Sequence, residues 1–175
     1  MAASVLVSYA TRSGSTGEVA RAIGDALRQV GFPVEVLAMP KVQSLAGKTT
    51  VILGAPLYIG RFPRDFHRFL ARFRKELEPL NPWCFVLGPT RAVLADFDGA
   101  RKQATKQMSR YPWLHPADMR IFGGKWDPVI LPFPFSVARM LPLNPLNKIP
   151  AADIRDWAAI QEWAVGIARQ IVPAA

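Results

Sequence analysis

Cysteine occurs once in the 175 residues, at Cys84, and histidine twice, at His67 and His115. One thiol closes no intramolecular bridge, and three scattered ligands do not make a paired Cys/His zinc pattern, so disulfide scaffolds and zinc folds are excluded. Long apolar runs are missing too. A spanning helix needs roughly 18 uninterrupted apolar residues, and the greasiest region is broken by Asp127, Arg139 and repeated prolines. Met1 to Ser4 runs straight into a strand-like segment without the basic n-region and apolar stretch of a secretory signal, which leads us to expect a cytoplasmic protein. Acidic residues are scarce: 13 Asp and Glu face 22 Lys and Arg, for a net charge of +9. Such a surplus points to something anionic outside the fold, whether a phospholipid surface, nucleic acid or an acidic partner.

What is present is the composition of a globular chain, 50% hydrophobic and 20% charged. At this length one core can bury roughly 70% of the unfolded surface without a staple, so residues 1–175 are read as a single domain. Val5 to Tyr9 is a short apolar run that ends in a hydroxyl- and glycine-rich loop. Val19, Ile23, Ala26, Leu27 and Val30 then recur at helical spacing, with Gly31 where a C-terminal cap belongs. Pro33 to Leu37 reads as a second strand, which completes a right-handed βαβ unit. Thr49 to Ala55 is nearly all apolar, as in a strand covered on both faces. A helix follows with Phe66, Phe69, Leu70 and Phe73 on its inner face. Trp83 to Leu87 supplies a fourth strand, residues 98–109 a further helix and Met119 to Gly123 a fifth strand. Five strands alternating with helices predict a doubly wound α/β domain. The closing helix is expected to start at Asp153 as N-cap, with Ile154, Trp157, Ala158, Ala164, Ile167, Ala168 and Ile171 as its buried stripe.

In open α/β sheets ligands bind beyond the carboxyl ends of the strands, so the loops after strands one, three and four carry the chemistry. The first comprises Thr11, Arg12, Ser13, Gly14, Ser15 and Thr16, four hydroxyls in six residues at a helix start. Free backbone N–H groups and hydroxyls in that place can wrap a phosphate. The loop has neither the lysine of a Walker motif nor the G-x-G-x-x-G of dinucleotide folds. Ser15 and Glu18 also fit an S-x-x-E capping box that needs no ligand, but one hydroxyl suffices for a cap and the others need a use.

This T-x-S-G-S-T loop resembles the FMN-phosphate loop of flavodoxin-like proteins. The resemblance implies a flavodoxin-like, doubly wound five-stranded parallel sheet of order 2-1-3-4-5, flanked by helices. Within that superfamily the chain looks most similar to the menaquinone-dependent protoporphyrinogen oxidase (dehydrogenase) group. Those proteins pair such a loop with a G-A-S-x-x-Y-G-like segment, matched here by Gly54, Ala55, Pro56, Leu57, Tyr58, Ile59 and Gly60, and carry a long insertion before the last helix. The resemblance implies that Thr11, Ser13, Ser15, Thr16 and the loop amides hold the FMN phosphate, with Arg12 adding charge nearby. Ala55 to Gly60 would line one side of the isoalloxazine, although Tyr58 equally suits a packed core position. Gly88, Pro89, Thr90 and Arg91 would frame the other side; flavodoxins commonly place an aromatic there, and this chain has none before Phe97. That departure suggests a site open to a bulky flat substrate, or a more weakly held flavin. The flavin performs the redox chemistry, so no acid or base residue is demanded. His67, on a basic helix face, and His115, beside Pro116, read as surface residues, and Cys84 as a small core residue.

Residues 126–150 hold six prolines and several aromatics, including Trp126, Phe133 and Phe135. From Arg61 to Lys75 there are six Lys and Arg against one Asp. Joined together, a cationic face and an apolar insertion fit the surface of an anionic membrane, where a quinone and a porphyrinogen-like substrate would both be met. Arg12, Arg61 or Arg91 could pair with the carboxylates of such a substrate. The bland alternatives are a solvated helix face and an insertion that packs over the sheet edge. The function expected is an FMN-dependent oxidoreductase passing electrons from a porphyrinogen to a quinone. A flavodoxin-type electron carrier, usually acidic, and an FMN-free partner-binding module are the alternatives. Basic residues are spread over several elements without a recognition motif, so nucleic acid is not an expected partner.

Overall fold

The computed structural model of the chain describes residues 4–127 and 150–171. Strands β1 (Val5–Tyr9), β2 (Val34–Ala38), β3 (Thr50–Pro56), β4 (Trp83–Leu87) and β5 (Met119–Phe122) form one sheet in the order β2-β1-β3-β4-β5. Every neighbouring pair is parallel, with Val7 opposite Val36 and Ile52, and Gly54 opposite Phe85. The doubly wound sheet expected from the sequence is therefore the fold.

Alternation along the strands sends residues to two cores. On one face Leu6, Val51, Leu53, Ala55 and Val86 pack under α2 (Arg64–Arg72) and α4 (Leu94–Met108), through Phe66, Phe69, Leu70, Ala100 and Ala104. On the other, Val5, Val7, Ile52 and Phe85 pack under α1 (Ser15–Gln29) and α5 (Trp157–Ile171), through Val19, Ile23, Leu27, Ile160 and Ile167. Helix α1 closes at Gly31 as expected, with Gly31 N–H donating to Arg28 O and Phe32 N–H to Leu27 O. After α2 the chain makes a short helix α3 (Arg74–Leu77) and a 3-10 turn at Glu78–Leu80 before entering β4.

Three expectations are corrected. Helix α4 begins at Leu94, not Asp98, because Val93 is extended and its carbonyl already accepts the N–H groups of Asp96 and Phe97. The last helix begins at Trp157, with Asp156 and not Asp153 as its cap: Asp156 Oδ1 accepts from Ala159 N–H at 3.0 Å. Its stripe shifts accordingly, so that Ile160, Trp163, Ala164, Ile167 and Ala168 are buried while Trp157 and Ala158 face solvent and Ile154 precedes the helix. Finally, the 126–150 insertion begins within a strand and is flanked by a two-stranded ribbon, for β6 (Lys125–Trp126) pairs antiparallel with β7 (Ala152–Asp153). Phe133 and Phe135 lie outside the described residues. Among the described residues no helix is long and apolar enough to cross a membrane.

Candidate functional site at the carboxyl ends of β1, β3 and β4

Because β1, β3 and β4 are adjacent and parallel, their following loops emerge side by side at one end of the sheet. Chain order reverses there, β1 leading leftward to β2 and β3 leading rightward to β4. The loop after β1 is held by its own residues. Thr11 Oγ1 accepts from Gly14 N–H at 2.9 Å, and Gly14 turns the chain into α1 at φ +90°, a conformation that glycine adopts without strain. The S-x-x-E capping box does not form: α1 has no side-chain cap, and Glu18 turns away to Arg155. The first-turn N–H groups of α1 therefore point out of the helix end, where an anion is favoured.

Two hydroxyls at this helix start are buried. Ser15 is nearly so, and Thr16 is 0% exposed with its Oγ1 lacking any hydrogen-bond partner. A buried hydroxyl without a partner is destabilising unless a ligand supplies the acceptor. Ser13 Oγ lies 3.3 Å from Tyr58 OH, which ties the loop after β1 to the loop after β3, and the Arg12 guanidinium sits 5.4 Å from the Tyr58 ring centre. Tyr58 is thus half-buried between the two loops and is not a core tyrosine.

The loop after β3 contains a feature that sequence reasoning missed. Tyr58 and Arg61 exchange both backbone hydrogen bonds at 3.0 Å around Ile59 and Gly60, whose φ angles are +49° and +71°. This is a type I′ turn, normally built from Asn-Gly or Asp-Gly. A β-branched residue there is strained by about 1–3 kcal/mol, and Ile59 is 87% exposed at the tip. Such strain gathers at ligand clamps. Ala55 and Pro56 are buried at the end of β3, and Leu57 N–H donates to Leu87 O, docking this loop on β4.

The loop after β4 completes the site. Gly88 N–H donates to Phe122 O, Pro89 O accepts from Gly124 N–H at 2.7 Å, and Thr90 is half-buried. Arg91 is exposed and already meets one carboxylate, its Nε and Nη2 donating to Asp96 at 2.9 and 3.2 Å. Arg61 is exposed beside the strained turn. Trp126 is half-buried in β6 with its Nε1 unpaired, which sets it in the ribbon and not in an open apolar tip.

The three other residues weighed in the sequence part ways. Cys84 is buried in β4, and burial, with Asp118 behind it, pushes its thiol up to about 12, so it is no nucleophile. His115 is exposed. His67, expected at the surface, is half-buried instead: its Nδ1 is hydrogen-bonded to Tyr111 OH, and burial together with the Arg110 charge holds it below its ordinary value.

Fold and site together define an open α/β domain with an uncapped, hydroxyl-bearing helix start at its switch point. The family model described as a flavodoxin domain matches residues 6–131, and the chain belongs to that family. No curated protein matches it in sequence. Among solved structures, oxidised flavodoxin 2 from Bacillus cereus is 18% identical, with a TM-score of 0.61 over 97% of this chain and 100% of that one. Oxidised flavodoxin 1 from the same organism is 15% identical, with a TM-score of 0.60 over 97% and 99%. A flavodoxin from the domain Archaea is 15% identical, with a TM-score of 0.53 over 95% and 97%. These identities establish likeness of fold. FMN is the cofactor of this family, and the residues fit it: an unpaired buried hydroxyl and a free helix start for the phosphate, and two loops tied across Ser13 and Tyr58 for the ring.

Proposed function

We propose that the chain is an FMN-carrying electron-transfer protein whose positive surface selects acidic redox partners. The observation that carries the reading is the Thr16 hydroxyl, wholly buried and unpaired at the start of α1, directly after the loop that follows β1. When bound, FMN supplies one- and two-electron redox chemistry, and the protein's part is to hold it and tune it. Thr16, Ser15 and the first-turn amides of α1 bind the phosphate, Ser13 and Tyr58 fix the adjoining loops, and Gly88 to Arg91 flank the ring. A charge of +9 reverses the sign of an acidic shuttle, so the partner that docks best is negative. The test is stopped-flow reoxidation of the photoreduced FMN-loaded protein by cytochrome c, which is basic, and by its succinylated, acidic derivative, which keeps the same haem and reverses only the surface charge. We expect the acidic derivative to react faster at low salt and to lose that lead as salt rises; a lead for the basic form overturns the reading.

A more specific reading, porphyrinogen oxidation with a quinone as acceptor, is supported by the exposed Arg12 and Arg61 at the site's mouth, suited to a dicarboxylate. Appearance of porphyrin fluorescence only when protein, porphyrinogen and menaquinone are combined anaerobically would favour it over the carrier. An anionic membrane surface as the place of work is supported by the arginines of α2, three in nine residues. Flotation with phosphatidylserine vesicles at low salt tests this: recovery with zwitterionic vesicles alone, or with neither, excludes it.

A further inference from the structure

Arg155 is the only charged residue among the described residues that is buried, its side chain 3% exposed. It lies just before α5 and ends on two carboxylates. Nη1 donates to Glu18 Oε2 at 2.5 Å, while Nη2 and Nε donate to Asp153 at 2.5 and 2.8 Å. The guanidinium also stacks 4.6 Å from the Trp157 ring centre. Glu18 matters because of where it stands: it belongs to the first turn of α1, the turn that begins with Ser15 and the unpaired Thr16. A bare carboxylate there competes with a bound phosphate for the positive end of the helix and repels it directly.

The same segment reaches the other side of the site. Next to Arg155, Ile154 N–H donates to Gly124 O at 3.1 Å, and Gly124 N–H donates to Pro89 O in the loop after β4. One continuous brace therefore runs from Pro89 through Gly124, Ile154 and Arg155 to Glu18, linking the loop after β4 to the start of α1, with Arg155 and Glu18 137 residues apart in sequence. We propose that Arg155 is a positioning residue for the flavin phosphate: by neutralising Glu18 and fixing the start of α1 against the 88–91 loop, it makes the site take FMN in preference to riboflavin. This rests on the FMN reading of the site.

The test is titration of FMN and of riboflavin by flavin-fluorescence quenching with the wild-type chain, Arg155→Met, Glu18→Gln and the double variant. A like charge within a turn or two of the phosphate, in a surface-like dielectric, is worth on the order of tenfold. Arg155→Met is expected to weaken FMN about tenfold, less at high salt, and to leave riboflavin within about twofold. Glu18→Gln, which leaves Arg155 balanced by Asp153 and takes the net negative charge out of the cluster, is expected to tighten FMN several-fold and riboflavin not at all; the double variant returns toward wild type. Should Arg155→Met fail to fold, Glu18→Gln carries the test alone. Equal losses of both flavins without rescue, or an FMN-to-riboflavin ratio unmoved by Glu18→Gln, overturn the proposal. A wild-type chain that binds neither flavin overturns the cofactor reading instead, and the proposal falls with it.

Discussion

Replacing Thr16 by valine should strengthen the empty protein and weaken its hold on FMN. The two side chains share β-branching and nearly the same volume, so the substitution exchanges a hydroxyl for a methyl with little repacking. The site is 0% exposed and the hydroxyl has no partner. A buried unsatisfied polar group costs about 1–3 kcal/mol, and removing it should raise the stability of the flavin-free chain by about 1 kcal/mol, roughly 2–4 °C in Tm at this chain length. In the proposed FMN complex the same hydroxyl would donate to a phosphate oxygen, a hydrogen bond to a charged group worth about 1.5–3 kcal/mol. Its loss should therefore raise the FMN Kd roughly 10- to 150-fold. Calorimetry of the apoprotein and flavin titration of the same sample read the two signs. A Thr16→Val chain that melts lower without flavin, or binds FMN as wild type does, refutes the reasoning.

Other expectations follow from neighbouring contacts. A Cβ on Gly54 would lie 2.1 Å from Phe85 Cζ, and Phe85 is itself wholly buried; Gly54→Ala should lower stability by about 1–3 kcal/mol in urea titrations, with Gly54→Ala/Phe85→Leu recovering much of it, and an unchanged midpoint would deny the contact. Cys84, pushed up to about 12, should resist a thiol reagent at pH 8 in the native chain and react at once in guanidinium, so prompt native labelling would contradict its burial. His67 is held below 6.5 mainly by burial, so the unfolded chain binds its proton first; stability should fall as pH drops below about 6.5, and that portion of the fall should vanish in His67→Gln, as Tm at pH 5 and pH 7 would reveal.

How far the sequence reveals the molecule depends on how local each signal is. The five strands and the hydroxyl-rich loop are legible because an apolar run followed by Thr11 to Thr16 carries its meaning within a dozen residues. The Tyr58–Arg61 turn is illegible, since Ile-Gly is not a dipeptide that announces a type I′ turn, and only the backbone shows Ile59 in the left-handed region. The start of α5 is misread for another local reason: Asp153 suits a cap by residue type, but Arg155 engages its carboxylate and Asp156 caps the helix instead. The pairing of Arg155 with Glu18 joins opposite ends of the chain and leaves no trace in periodicity or spacing. The same holds for His67 and Tyr111, 44 residues apart, whose contact removes the histidine from the surface on which its helix pattern placed it.

The central claim, that the loops after β1, β3 and β4 form an FMN site, is tested most directly by titrating the purified apoprotein with FMN and following visible absorption and fluorescence. The account predicts saturation at one flavin per chain, with quenched fluorescence and a shifted flavin band retained after gel filtration. Free flavin recovered quantitatively from a folded protein would contradict it.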